Sequence, residues 1–173
     1  IDSFTQEERY VGGDHYNSQT GKFYNPEVRS EKGFWDLFKW LTKRNMSQWP
    51  EWLENEAEPQ LPTSLTDHEM AVTFINHSSF LIQFNGINIL TDPVFSERTS
   101  PVGFAGPKRV RAPGLTFSRL PKIDIVAISH NHYDHMDLDT LKKLAKKFNP
   151  TIIVPMKDAK LLKEEGIRNV VEL

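Results

Sequence analysis

The sequence predicts an α/β domain, and three observations predict it. From residue 71 onward, apolar runs of strand length are separated by turn residues. From residue 123 onward, such runs alternate with segments whose apolar residues recur at helical spacing, the pattern of a parallel sheet with helical crossovers. The first 65 residues show neither grammar and read as an extension carrying one amphipathic helix. The expected division is therefore 1–65 for the extension and 66–173 for the sheet domain.

The elements follow in order. Residues 1–25 are polar without a sustained period and read as an arm or irregular loop. Phe34, Leu37, Phe38 and Leu41 fall at i, i+3, i+4 and i+7, one face of a helix that starts near Lys32 and fades by Asn45, with Trp35 and Trp40 widening the face. Trp49-Pro50 and residues 54–62 break regularity and read as a linker packed on a neighbouring surface. Residues 71–75 and 80–84 read as strands. Asn85-Gly86 between 80–84 and the next strand, 87–90, is a hairpin turn because both residues tolerate positive φ. Thr91-Asp92-Pro93 stops that strand. A loop over 94–121 follows, with four Pro and three Gly. Residues 123–129 form a buried strand. Leu138, Leu141, Leu144, Ala145 and Phe148 mark a helix that Asp137 or Asp139 can cap. Residues 151–155 are another strand, 157–165 a helix ended by Gly166, and 169–173 a further strand.

Composition narrows the function classes. The 173 residues carry 21 Lys+Arg against 23 Asp+Glu, a net charge of −2, which argues against a general nucleic-acid binder. There is no cysteine, so thiolate metal cages and Cys nucleophiles are excluded. No apolar run approaches the roughly 18 residues of a membrane helix.

The chemistry concentrates in His130-Asn131-His132-Tyr133-Asp134-His135, where a buried strand ends and a helix begins. In extended backbone, residues two apart point the same way, so His130 and His132 can reach one point. The turn into the helix brings Asp134 and His135 to an adjacent point. Imidazole and carboxylate suit zinc, and also manganese or iron. Four such ligands at the C-terminal edge of a strand can begin a site for two metals.

The pattern His-x-His-x-Asp-His resembles the signature of the metallo-β-lactamase superfamily. The wider stretches NHSSFLIQFNGINILTDPVFSERTSPVGFAGPKRVRAPG and LPKIDIVAISHNHYDHMD resemble the N-acylphosphatidylethanolamine-hydrolysing phospholipase D group and its bacterial relatives, over about 100 residues from His77 onward. The resemblance implies a four-layer αβ/βα fold, of which this chain carries roughly the first half. It implies that His130 and His132 bind one zinc, that Asp134 and His135 bind the second, and that Asp134 also has a catalytic part in steering the hydroxide. Asp92 would brace the metal-binding loop by hydrogen bonds, and His77 would lie near the site mouth. Lys108 and Arg109, in a match to Gly-Pro-Lys-Arg, would bind substrate.

The expected activity is a zinc-dependent hydrolase with two metals per complete site, acting on an anionic or lipid-like phosphodiester. A lactonase or other carbonyl hydrolase of the same fold, and a non-catalytic interaction module, are the alternatives. The cations Arg98, Lys108, Arg109, Arg111, Arg119 and Lys122, with no acidic residue between Arg98 and Lys122, favour the phosphodiester. Phe95, Val102 and Phe104 are candidate walls of an acyl groove. The superfamily's later ligands have no counterpart, since no His follows His135. The chain is therefore expected to be an incomplete half whose activity needs a missing C-terminal half, or whose exposed sheet is covered by self-association. Beyond that partner, a small-molecule or phospholipid substrate and no nucleic acid are expected. The expected location is cytoplasmic, with peripheral membrane contact as the alternative.

Overall fold

The computed structural model describes residues 16–17, 19, 22–23, 33–43, 50–100 and 102–173. Trp49, the helix limits expected at Lys32 and Asn45, and most of the arm expected over 1–25 lie outside the described residues. The chain forms two compact units, Ile1–Gln48 and Trp49–Leu173.

In the first unit, β1 (Tyr16–Asn17) pairs antiparallel with β2 (Lys22–Phe23), where the sequence predicts irregular chain. Two-residue strands carry no readable period, and the reversal is helped by the Asn17 side chain accepting from the Gln19 N–H at 3.0 Å. Helix α1 (Phe34–Lys43) begins where the Asp36 carboxylate accepts the Gly33 N–H at 3.0 Å. Its rings Phe34, Trp35, Phe38 and Trp40 are exposed, and Trp35 meets both Phe34 and Phe38 edge-on at 6.0 Å.

The second unit is built on a six-stranded sheet in sequence order: β3 (Met70–Asn76), β4 (Ser79–Phe84), β5 (Ile87–Thr91), β6 (Ile125–Ala127), β7 (Thr151–Val154) and β8 (Val170–Glu172). The pairs β3–β4 and β4–β5 are antiparallel, and β5–β6, β6–β7 and β7–β8 are parallel. The hairpin turn is where the sequence places it, with Asn85 at φ 48° and Gly86 at φ 74°. Helix α2 (Leu138–Phe148) connects β6 to β7, and α3 (Asp158–Glu164) connects β7 to β8. Asp137 caps α2, and Gly166, at φ 85°, follows α3.

Alternation decides which side of the sheet is covered. Ile75, Leu81, Leu90, Val126, Ile152 and Val154 join Leu141 and Leu144 of α2 and Ala159 and Leu162 of α3 in one buried cluster. Full burial of each large aliphatic side chain contributes roughly 1.5–3 kcal/mol. On β3, the alternate residues Met70, Val72 and Phe74 are exposed.

The linker expected over 54–62 lies within the second compact unit, which begins at Trp49. Its polar groups explain why. Leu53 N donates to Val110 O at 2.7 Å, Asn55 Nδ2 donates to Ala112 O and Pro113 O, and Glu58 accepts from Thr116 N and pairs with Arg119 at 2.7 Å. The long loop is also ordered by the sheet. Gly114 N donates to Ile75 O at 2.7 Å, and a Cβ at Gly114 would stand 3.0 Å from Phe74 O. Only glycine lets the two backbones approach so closely.

Candidate metal centre

Strands β3, β5 and β6 run in one direction, because β4 reverses β3 and β5 reverses β4. The residues that follow them therefore collect at one edge of the sheet: His77 after β3, Asp92 after β5, and Ser129-His130 after β6. His77 and Asp92 both have left-handed backbone, at φ 39° and 35°, which re-aims the chain just as each strand ends. Such conformations cost free energy in residues other than glycine and concentrate at functional sites. Asp92 is held there by backbone bonds, its N–H on Ala127 O at 2.9 Å and its C=O accepting from Ser79 Oγ at 2.5 Å.

The three imidazoles of the His-rich turn converge. The His130 ring centre lies 4.6 Å from that of His132 and 3.9 Å from that of His135. His130 Nε2 faces His132 Nδ1 at 3.0 Å. Two nitrogens on one tetrahedral zinc, each about 2.0–2.1 Å from it, stand roughly 3.3 Å apart. His135 Nε2 lies 3.7 Å from Asp134 Oδ2, and His77 Nε2 lies 3.1 Å from the same oxygen. One ligand atom each from His77, Asp134 and His135 falls within 4.8 Å of the other two. Burial opposes ionisation of Asp134. Its own backbone N–H and the neighbouring His135 and His77 outweigh that and hold the carboxyl below its usual range.

Behind the turn stands Asp92, which is buried. Its Oδ1 accepts Ser129 N–H at 2.7 Å, and its Oδ2 accepts Ser129 Oγ–H at 2.7 Å and His135 Nδ1 at 2.9 Å. A carboxylate on the far nitrogen of a ligand imidazole is the usual support of a metal-binding histidine. The donor set thus fits divalent metal: nitrogen and carboxylate ligands face one another in two adjacent groups, and one of the imidazoles is backed by a buried acid. His130 with His132 would hold one ion, and Asp134 with His135, assisted by His77, a second.

A cavity of about 820 Å³ opens beside the cluster, with His77 and Asp134 in its wall. Phe74, Ile75, Val94 and Val110 supply its apolar lining, Lys108, Arg109 and Arg111 its positive charge, and Glu97 a carboxylate beside Lys108. Phe95, Val102 and Phe104 do not line it. Phe95 packs on Phe117 at 5.4 Å beside the core, and Phe104 is 86% exposed.

The basic loop is more neutral than its sequence. Arg119 pairs with Glu58 and Lys122 with Asp124, while Arg98 donates to Gly106 O. Lys108 is exposed and 3.9 Å from Glu97. Arg109 is half-buried and donates to the carbonyls of Ser96 and Val94, a use that holds backbone rather than substrate. Burial pulls its pKa down, and Asp137 and Glu97 oppose the shift.

Two participants were not singled out as such by the sequence. Ser129 had a signal only in its place immediately before the first histidine. Asp137 does more than cap α2: its carboxylate accepts from Thr140 N and Oγ1, from Phe95 N, and from the N–H and Oγ of Ser96. With Arg109 gripping the carbonyls of the same segment, residues 94–96 are held from both sides.

Residues 71–172 match the family model described as Beta-lactamase superfamily domain. The chain is 40% identical over 97 residues to N-acyl-phosphatidylethanolamine-hydrolyzing phospholipase D 1 of Caenorhabditis elegans, covering 55% of this chain and 27% of that protein. It is 30% identical over 99 residues to a UPF0173 metal-dependent hydrolase of Caldivirga maquilingensis, covering 57% of this chain and 37% of that one. Among solved structures, the isothiocyanate hydrolase from Delia radicum gut bacteria aligns with a TM-score of 0.48 at 27% identity, over 59% of this chain and 41% of that chain. The chain thus spans well under half the length of these curated relatives. With the family model matching more than half of its residues, and with the helix-backed sheet and the histidine-rich turn in place, the chain belongs to the β-lactamase superfamily.

Proposed function

We propose that this chain carries the metal-binding part of a metal-dependent hydrolase whose substrate is an anionic or lipid-like phosphodiester. The observation that carries the proposal is the convergence of His130, His132, Asp134 and His135, with His77 beside them, at the end of a largely apolar cavity that also presents Lys108 and Arg111. Zinc is the proposed metal, since nitrogen and carboxylate donors without thiolate suit it. When bound, such ions supply Lewis-acid polarisation of a phosphoryl oxygen.

The chain's own groups do the rest. Asp134, held ionised, accepts a hydrogen bond from the attacking water and orients it. Lys108 and Arg111 attract the negative phosphodiester. Phe74, Val94 and Val110 take its apolar portion and keep bulk water from the reacting end of the cavity. His130 and His132 would offer two donors to one ion, and Asp134, His135 and His77 up to three to the other, fewer than a closed set of four for either. Turnover is therefore proposed for the assembled protein, and the isolated chain is proposed to bind metal with little activity. The names of the relatives, a phospholipase D and a metal-dependent hydrolase, support the reading.

The test is hydrolysis of a chromogenic phosphodiester and of an aromatic lactone by the whole protein, each with zinc and after chelation. Zinc-dependent cleavage of the phosphodiester, abolished in Asp134→Ala, is the expected result. Cleavage of the lactone alone refutes the substrate class, and activity indifferent to chelation refutes the metal.

A further inference from the structure

We infer that the Ser129 hydroxyl is a positioning group that relays the Asp92 carboxylate to His130, so that one buried acid fixes the tautomers of both His130 and His135. This rests on the metal-site reading above and names a residue that acts on the ligands without being one.

The inference follows from donor and acceptor counting. A carboxylate accepts hydrogen bonds and donates none, and a serine hydroxyl has a single proton. Asp92 Oδ1 takes the Ser129 N–H at 2.7 Å, and Asp92 Oδ2 takes the Ser129 Oγ–H at 2.7 Å. With its proton committed, Ser129 Oγ can only accept at its other short contact, His130 Nδ1 at 2.9 Å. His130 must therefore carry its proton on Nδ1, which leaves Nε2 bare, and Nε2 is the atom that faces His132 Nδ1 at 3.0 Å.

Asp92 Oδ2 also accepts directly from His135 Nδ1 at 2.9 Å. His135 Nε2 is then the bare nitrogen, on the side of Asp134, 3.7 Å away. His135 is thus set by direct contact and His130 through the hydroxyl. Ser129 Oγ lies 3.4 Å from His135 Nδ1, so the two branches meet at one point. The left-handed backbone at Asp92, braced by Ala127 O and Ser79 Oγ, is what places the carboxylate behind both rings. Neither ring can turn over without breaking a bond to this group.

The experiment compares the wild-type chain with Ser129→Ala and Ser129→Thr, using zinc ions alone as the ligand. Ring nitrogen shifts from long-range 1H–15N correlation are read on metal-free protein, and zinc affinity is read by competition with a chromophoric chelator. In wild type, His130 and His135 are expected as single Nδ1–H tautomers. Ser129→Ala should leave His135 unchanged, convert His130 to a mixture and weaken zinc about tenfold, the low end for loss of a ligand's support. Ser129→Thr, which keeps the hydroxyl, should restore both readings.

A His130 that holds its proton on Nε2 in wild type overturns the relay, whether or not the alanine variant folds. So does an alanine variant with unchanged His130 shifts and zinc affinity within twofold. If wild type shows the Nδ1–H tautomers yet binds no zinc, the relay stands and the hydrolase reading fails.

Discussion

Replacing Asp137 by alanine should loosen the wall of the cavity without touching a metal donor. The carboxylate caps α2 through Thr140 N at 3.2 Å and accepts the backbone N–H groups of Phe95 and Ser96 at 3.2 and 2.9 Å. Loss of a helix cap costs about 1 kcal/mol. Phe95 N–H keeps Thr140 Oγ1 at 3.0 Å, so Ser96 N–H is the loop donor left without a partner, at a cost of about 1–3 kcal/mol. The expected destabilisation is therefore roughly 2–4 kcal/mol, a large share of the roughly 5–15 kcal/mol typical of a domain. Asp137→Asn keeps the oxygen at the cap but loses the one shared by Phe95 and Ser96, and should cost roughly 2 kcal/mol. Urea denaturation of metal-free protein at neutral pH reads both values, with the slope unchanged. Trypsin cleavage after Arg98 should also accelerate, because the segment before it opens more often. An alanine variant within 1 kcal/mol of wild type, with unaltered cleavage at Arg98, would refute the claim that this carboxylate holds residues 94–96.

The remaining predictions concern packing, acid sensitivity and metal. Gly114→Ala should destabilise by roughly 1–3 kcal/mol in the same denaturation assay, since its methyl would press on Phe74 O and Ile75 O. Asp124 takes hydrogen bonds from Lys122 and from Asn88 N, which hold its carboxyl below the usual range. A carboxyl whose pKa is depressed on folding contributes stability that is present above its unfolded pKa, about 3.9, and is lost as pH falls through the lower folded value. The stability gap between wild type and Asp124→Asn should accordingly be flat from pH 7 to about 5 and shrink below about 4, as followed by denaturation across that range. His132→Ala should weaken zinc about tenfold or more by chelator competition. Because the side chain is exposed, the metal-free unfolding midpoint should not move.

Much of the sheet domain was legible because its signals are local. Asn85-Gly86 announces a hairpin, apolar runs announce buried strands, and the spacing of Leu138, Leu141 and Leu144 announces α2. The convergence of the His-x-His-x-Asp-His side chains was legible for the same reason: they lie on one short stretch of chain. What the sequence hid depends on contacts far apart along it. The closeness of His77 to Asp134 requires β3 and β6 to run in the same direction with two strands between them. The quenching of Arg119 requires Glu58, whose carboxylate lies far upstream in the chain. Arg109 reads as a substrate cation until its guanidinium is seen on the carbonyls of Val94 and Ser96. Ser129 is an ordinary residue until the carboxylate of Asp92 arrives beside it.

The compactness of the donor turn has a kinetic corollary. Gathering His130, His132, Asp134 and His135 closes only a very short loop, and the entropy of loop closure grows with length. Their support depends on β5 pairing with β6, which brings Asp92 from a point well upstream in the chain. On the metal-binding reading proposed above, a cation gathered by the turn favours that pairing, so divalent ions present during refolding should hasten pairing of β5 with β6 rather than merely stabilise the finished protein.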